Sequence, residues 1–300
     1  MNNSIINELK KLYWRRSTVL PEAYRRIAYR TFRRSGQVIT RGSVRYRIHD
    51  HNDVVGESIY VYGTCAKYVS VLLDAARPFF RTFIDVGANI GSVTVPFAKG
   101  FSGKVVSIEP AGSNYALLLE NLQLNGLDDG NVVCRRVAIG DRPGKLELFR
   151  SQTNSGDHRL AAAADEQRDA ELVDVVTLDS IVAGNHELQP PYLVKVDVQG
   201  YEAKVLASAQ AILRQPCLVI AEFWPYGLRV SGTPLAEFSR VVTEARLKVY
   251  EVTEDRLTIR PSSLAEISER LSSARFEDSR DIILTNMPLA DIGLAKFLTA

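Results

Sequence analysis

Short apolar runs recur through the middle of the chain. Residues 82–86, 104–109, 131–139, 192–198 and 217–223 are rich in Val, Ile, Leu and Phe with few polar breaks, the pattern of strands covered on both faces. The stretches that begin at Ser92, span 113–125 and span 201–213 separate them and read as helices. Such strand–helix alternation implies a parallel sheet with right-handed crossovers and helices on both faces. The expected fold is therefore α/β and doubly wound, with three strands running outward and the fourth returning beside the first. Ligands bind in the crevice between the first and fourth strands of such a sheet.

Outside this frame the pattern is less regular. Residues 43–48 and 58–62 are strand-like and suit a small hairpin, and a second hairpin is expected about Gly144, between 138–140 and 146–149. Residues 151–171 are polar and alanine-rich. They predict a loop with a short helical piece, and loops of that length often carry function. A strand over 172–176, a short helix or turn over 177–183, a helix near 235–245 and strands near 248–252, 257–260 and 281–286 complete the order.

Residues 1–40 differ in character and read as helical. Pro21 suits a first helical position. Tyr24, Ile27, Ala28 and Phe32 then share one face, while Arg25, Arg26, Arg30, Arg33 and Arg34 lie largely off it, and Gly36 is a natural stop. Charge sharpens this picture. The 300 residues carry a net charge of only +2, yet residues 1–49 hold twelve lysines and arginines against two acids, +10, leaving −8 for the rest. A basic amphipathic helix of this kind suits an anionic membrane surface, or it docks its apolar face on the main domain with its arginines solvated. The expected division is a basic helical extension with a small hairpin over 1–60, and a main domain over 61–300.

Composition narrows the setting. Hydrophobic residues make up 46% of the chain, enough for a sizeable core. No apolar run is long enough to span a bilayer, and the opening Met1-Asn2-Asn3-Ser4 lacks the apolar core of a signal peptide. Cys65, Cys134 and Cys217 are far apart and form no Cys-x-x-Cys pair, which fits reduced thiols packed in a cytosolic protein. The expected location is cytoplasmic, with peripheral contact at the inner membrane face where the basic arm meets lipid.

Candidate chemistry sits in two short segments. In Phe83-Ile84-Asp85-Val86-Gly87-Ala88-Asn89-Ile90-Gly91, a strand ending in an acid runs into a glycine turn before a helix, which lets backbone approach a ligand beside free helical N–H groups. Glu109 ends the next strand, placed to take hydrogen bonds from ribose hydroxyls. The middle glycine of the dinucleotide fingerprint is replaced by Asn89. That glycine admits a pyrophosphate, so NAD and FAD fit less well than a phosphate-free adenosyl ligand such as S-adenosylmethionine. The second segment is Lys195-Val196-Asp197-Val198-Gln199-Gly200-Tyr201-Glu202. Lys195 and Asp197 share one strand face, and the doubly wound topology brings them to the glycine turn. A structural ion pair is the alternative reading of the two.

With Ile84 to Gly91, Ile108-Glu109-Pro110, Val137-Ala138-Ile139-Gly140, Thr177-Leu178-Asp179, Lys195 to Glu202 and the late Glu222, the chain resembles the FkbM family of S-adenosylmethionine-dependent methyltransferases over about residues 80–250. Gln199 departs from the commonest form, which has Glu there. The resemblance implies a class I methyltransferase fold, with a seven-stranded, mostly parallel sheet ending in an antiparallel hairpin. It also implies O-methylation, often of sugars or of hydroxyls on secondary metabolites. It assigns the methionine part of the cofactor to the loop of Gly87, Ala88, Asn89 and Gly91 above Asp85, the ribose hydroxyls to Glu109 beside Pro110, and the adenine to Ala138 and Ile139.

A hydroxyl nucleophile must lose its proton to a base within hydrogen-bond reach. Asp197 is the first candidate, Glu202 and Glu222 are alternatives, and His158 in the polar loop is a weaker one. Lys195 would hold the acceptor or tune Asp197. No His, Asp and Glu cluster has ligand spacing, so no metal is expected. The expected partner is a small-molecule or glycan acceptor, including a lipid-linked glycan. Two other readings stay open. One is an RNA ribose methyltransferase whose arm grips phosphates, against which stands the lack of an RNA-binding module or aromatic-basic interleaving. The other is a cofactor-binding protein without turnover.

Overall fold

The computed structural model describes residues 22–32, 36–50, 53–128, 130–161, 167–253, 257–271 and 275–299. The expected helix before Pro21, Pro21 itself, Arg33, Arg34, the Phe32 side chain and most of the alanine run after Leu160 lie outside the described residues.

In chain order, helix α1 (Glu22–Phe32) precedes the hairpin of β1 (Val38–Arg41) and β2 (Val44–Arg47), then helices α2 (Val54–Tyr62) and α3 (Lys67–Ala76). The alternating part follows with β3 (Thr82–Val86), α4 (Thr94–Ala98), β4 (Lys104–Ile108), α5 (Gly112–Leu124) and β5 (Val132–Arg135). A three-stranded insert of β6 (Ala138–Ile139), β7 (Gly144–Arg150) and β8 (Asp169–Val176) leads through α6 (Leu178–Ala183) to β9 (Tyr192–Val196). Then come α7 (Glu202–Ala207), α8 (Gln210–Leu213), β10 (Cys217–Phe223), α9 (Pro225–Val230) and α10 (Leu235–Glu244). The chain closes with β11 (Lys248–Thr253), β12 (Thr258–Ser262), α11 (Leu264–Arg270) and β13 (Arg280–Thr285).

Among the described residues, eight strands form the main sheet in the order β12-β11-β13-β10-β9-β3-β4-β5. Pairing is parallel from β10 to β5 and antiparallel from β10 through β13 and β11 to β12. This is the expected class I arrangement, with β12 added as an eighth, edge strand. β3 is flanked by β9 and β4, so the first and fourth long strands are neighbours. Its five residues are all buried, and alternation sends them into two cores. Ile84 and Val86 pack with α7, α8 and α10, whereas Phe83 packs with α3 and Phe97.

The described part of the 1–60 segment packs onto that frame. Tyr29, Ile39, Tyr46, Val55 and Ile59 share a core with Ala88, Ile90, Val95, Leu118 and Leu122. Three local expectations change. Residues 58–62 belong to α2, because Asp53 caps its start and Gly63, at φ 85°, ends it. The two caps outweigh the β-rich composition of Ile59-Tyr60-Val61-Tyr62. The hairpin about Gly144 does not form as expected, since β8 lies between β6 and β7, parallel to one and antiparallel to the other. The expected helix over 201–213 divides into α7 and α8 at Ser208 and Ala209, where Leu178 N–H donates to the Ser208 hydroxyl.

Among the described side chains of α1, the expected face docks only through Ala28, which packs against that shared core. Tyr24 and Ile27 are exposed, and Tyr29 is buried. Arg26 and Arg30 reach the Glu57 carboxylate at 2.5 and 2.7 Å, and Arg25 donates to the Val61 carbonyl. Burial would raise the Glu57 pKa, but hydrogen bonds and charge from Arg30 and Arg26 bring it below the ordinary value. A buried carboxylate on α2 therefore overrides the hydrophobic stripe in setting the rotation of α1.

Candidate active site at the β3–β9 crevice

The glycine turn after β3 is shaped by close approach. Gly87 has φ 83°, and a Cβ there would overlap the Asp197 backbone carbonyl. Gly91, at φ 87°, faces Leu118 and Val95 in the same way. Asn89 between them also has positive φ, 52°, which asparagine tolerates by bonding locally. Its own side-chain oxygen accepts from Ile90 N–H at 2.7 Å.

Beneath this turn lies a cavity whose walls match an adenosyl ligand. Gly87, Ala88 and Asn89 line one side, Glu109 and Pro110 the floor, and Val137, Ala138 and Ile139 an apolar slot. The Glu109 carboxylate is held by Asn89 N–H and Ala111 N–H, both at 2.9 Å, and burial pushes its pKa up to about 7. The carboxylate faces the cavity beside the apolar side chains of Val137, Ala138 and Ile139. Asp85 and Gly91 do not line the cavity. Asp85 is wholly buried, accepting from the Thr94 hydroxyl at 2.7 Å and pairing with Lys195 at 3.2 Å.

Lys195 stands at the centre of the crevice. Its ammonium lies 3.2 Å from Asp85, 3.6 Å from Asp197 and 3.1 Å from the Gly87 carbonyl. Burial by itself would lower its pKa, but the Asp85 and Asp197 carboxylates raise it above the ordinary value. Lys195 is thus a fixed cation that joins β3 to β9, and proton abstraction is not among its roles. The Asp197 side chain is 42% exposed, and Gln199 Nε2 donates to it at 2.8 Å and to Glu222 at 3.3 Å.

A second cavity opens beside the first. Tyr62, Thr64, Lys67, Tyr68, Glu222 and Asp281 line it, and it shares Cys65, Ala66, Lys195 and Asp197 with the adenosyl cavity. Asp281 is paired directly across from Glu222 on β13. Burial and the charges of Asp197, Glu202 and Asp281 hold the Glu222 carboxyl well above the usual carboxylate range. Glu202 lies apart from both cavities. It is wholly buried, accepts from Val198 N–H and Gly200 N–H at 3.0 Å, and burial pushes it up to about 7. It staples the turn that delivers Asp197. His158 lines the adenosyl cavity, but burial lowers it to about 4, and its Nδ1 accepts from Ser151 N–H. A base that weak serves poorly near neutral pH.

The sequence reading missed Asp281, Tyr62, Tyr68, Cys65, Asn114 and Ser155 as cavity residues. Asn114, five positions after Glu109, was the readable one, being a polar side chain in the first turn of the helix that follows the acid. The others reach the cavities through strand register, helix packing or loop contacts between distant positions. Among the described residues no group of three or more His, Cys, Asp or Glu is arranged to hold a metal ion, and no helix is long and apolar enough to cross a membrane.

A methyltransferase FkbM domain matches residues 85–277. None of the curated proteins matches the chain. Among solved structures, the chain is similar to a methyltransferase FkbM from Methylobacillus flagellatus KT, at 14% identity and TM-score 0.43, over 69% of this chain and 44% of that one. The chain thus spans less than half the length of that protein. It is also similar to the O-methyltransferase from Bacillus cereus in complex with SAH, at 14% identity and TM-score 0.42, over 74% of this chain and 82% of that one. A third is TYW2 from M. jannaschii in complex with AdoMet, at 14% identity and TM-score 0.43, over 84% and 86%. The domain match runs from the acid at the glycine turn past Glu222 and takes in more than half of the chain, which therefore belongs to the methyltransferase FkbM domain family.

Proposed function

We propose that the protein methylates a hydroxyl of a sugar, glycan, glycolipid or secondary metabolite, with S-adenosylmethionine as donor and Asp197 as the proton acceptor. The observation that carries this reading is the position of Asp197 on the wall shared by the two cavities. When bound, the cofactor supplies a methyl group already activated by its sulfonium. Glu109 takes the ribose hydroxyls, Ala138 and Ile139 flank the adenine, and the turn of Gly87 to Asn89 holds the methionine part. This places the donor on one side of Asp197 and leaves the Tyr62, Tyr68, Glu222 and Asp281 cavity for the acceptor.

Asp197 receives the hydroxyl proton while Lys195 and Gln199 fix its carboxylate from two directions. Alignment of the nucleophile with the transferable methyl supplies much of the remaining acceleration. Glu222, whose proton affinity is raised by burial and its acidic neighbours, faces the acceptor cavity as a further polar contact. Tyr62, Tyr68, Thr64 and Lys67 give that cavity hydroxyl and ammonium groups able to bind a polyhydroxylated acceptor, which favours a sugar. The exposed Tyr24 and Ile27 of α1 add a route to peripheral lipid contact for a lipid-linked acceptor.

The test is a methyl-transfer screen over glycans, glycolipids and secondary-metabolite hydroxyls, run with wild type and Asp197→Asn. Turnover that Asp197→Asn loses, while it still binds S-adenosylhomocysteine, supports the assignment. Undiminished turnover in that variant removes Asp197 from the role of base.

A further inference from the structure

The roof of the adenosyl cavity comes from the β7–β8 connection, through Ser155, Gly156, His158 and Leu160. What holds that roof down lies outside the matched domain. Asp53 is 3% exposed, and its carboxylate accepts from Ser155 N–H at 2.7 Å and from the Ser155 hydroxyl at 3.0 Å. The same carboxylate accepts from Gly56 N–H at 3.0 Å, which caps α2. Beside it, Val54 N–H donates to the Thr153 carbonyl at 3.3 Å.

Ser155 is held on its other side by the cofactor wall itself. Its carbonyl accepts from Asn89 Nδ2 at 2.7 Å and from Asn114 Nδ2 at 3.0 Å. Asn89 belongs to the glycine turn, and Asn114 also donates to Glu109 at 3.4 Å. The backbone N–H, hydroxyl and carbonyl of Ser155 are thus all engaged, two by Asp53 and one by the cavity wall. The far end of the loop is anchored separately. Arg159 is buried, pairs with Asp157 at 2.6 Å and lies 5.0 Å from the ring centres of Trp224 and Phe276.

We propose that Asp53 is a positioning residue for cofactor binding. It acts through Ser155, pressing the 155–160 roof against Asn89 and Asn114 and so closing the adenosyl cavity from above. The inference rests on reading that cavity as the S-adenosylmethionine site. It makes the segment before the matched domain a working part of the site. A charged acceptor with two bonds to one residue is a strong tether.

Asp53→Ser separates this role from helix capping, because serine is itself a good N-cap but too short to bind Ser155 twice. Ser155→Ala leaves the cap untouched and removes one bond. Calorimetric titration of S-adenosylhomocysteine into the full chain is expected to show affinity lower by about tenfold for Asp53→Ser and about threefold for Ser155→Ala, in line with the loss of two bonds and of one. Amide exchange should quicken in residues 153–160, with the β3, β4 and β9 amides unchanged. Wild-type affinity in Asp53→Ser, or unchanged exchange in the roof, overturns the proposal. Should Asp53→Ser fail to fold, Ser155→Ala decides alone, its affinity unchanged against the proposal and reduced in favour. A wild type that binds no S-adenosylhomocysteine overturns the cofactor reading and this proposal together, whereas wild-type binding that Asp53→Ser retains overturns only the latch.

Discussion

The two halves of the crevice are built differently. On the donor side, the Gly87–Asn89 turn, Glu109 and Asn114 lie within one contiguous stretch of chain from β3 to α5, with Glu109 accepting from Asn89 N–H at 2.9 Å. On the acceptor side, Asp197 follows β9, Glu222 and Asp281 come from β10 and β13, and the tyrosines come from α2 and α3. The donor side satisfies its acid with backbone hydrogen bonds. The acceptor side gathers carboxylates around Glu222, whose proton affinity burial and those neighbours raise. Part of a site for one unchanging ligand can be written into a short stretch of chain, here from Gly87 to Asn114. A site for a variable acceptor is assembled from side chains on separate elements, which substitution can alter without disturbing the sheet.

Breaking the acceptor side at its centre should have the largest effect. Asp197→Asn is expected to cut turnover by about 10²–10⁴, the range of general base catalysis, with S-adenosylhomocysteine affinity within a few-fold of wild type by calorimetry. Breaking the donor side reverses the pattern. Glu109→Ala should weaken S-adenosylhomocysteine by about 100-fold, the size of effect expected when buried, charge-assisted hydrogen bonds to hydroxyls are lost. If both variants lost cofactor and turnover in equal measure, the division into two halves would be wrong.

A subtler comparison uses pH. The Glu202 carboxyl sits at about 7 in the folded protein against an ordinary 4.5. The folded state therefore binds more protons than the unfolded state between those values, and stability falls as pH rises through that window. Thermal denaturation of wild type and Glu202→Gln from pH 5 to 8 should show wild type losing its advantage as pH rises. A constant gap across the range would mean that Glu202 titrates normally. Smaller still is the effect expected at the periphery. Tyr24→Ser with Ile27→Ser should reduce sedimentation with anionic vesicles while leaving S-adenosylhomocysteine affinity unchanged, and equal sedimentation would detach α1 from lipid contact.

Much of the donor side could be read without a structure. The acid at the end of each strand, Gly87, Gly91 and the spacing to Glu109 are local, because a tight turn and a strand end impose residue types directly on the sequence. Even there the reading was incomplete. Asp85 looked like a ligand contact and instead is wholly buried, paired with Lys195 and Thr94. Near the acceptor, Glu202 and Asp197 look alike as acids five residues apart. Only the backbone path after Val196, with Gln199 and Gly200 at positive φ, turns one inward to cap the turn and the other toward the cavities.

What the sequence by itself determined is the α/β frame, the crevice between β3 and β9, and the identity of the residues at those strand ends, since periodicity, glycine and buried acids each act over a few positions. Tertiary structure alone decided which charges meet. The pairing of Asp281 with Glu222 depends on the register of β13. The rotation of α1 follows the buried Glu57 more closely than its own apolar stripe. The hold of Asp53 on Ser155 joins positions about a hundred residues apart. The reason is common to all three. A buried polar group must find a partner wherever the fold brings one within about 3 Å, and nothing in the local pattern of either residue records which partner that is.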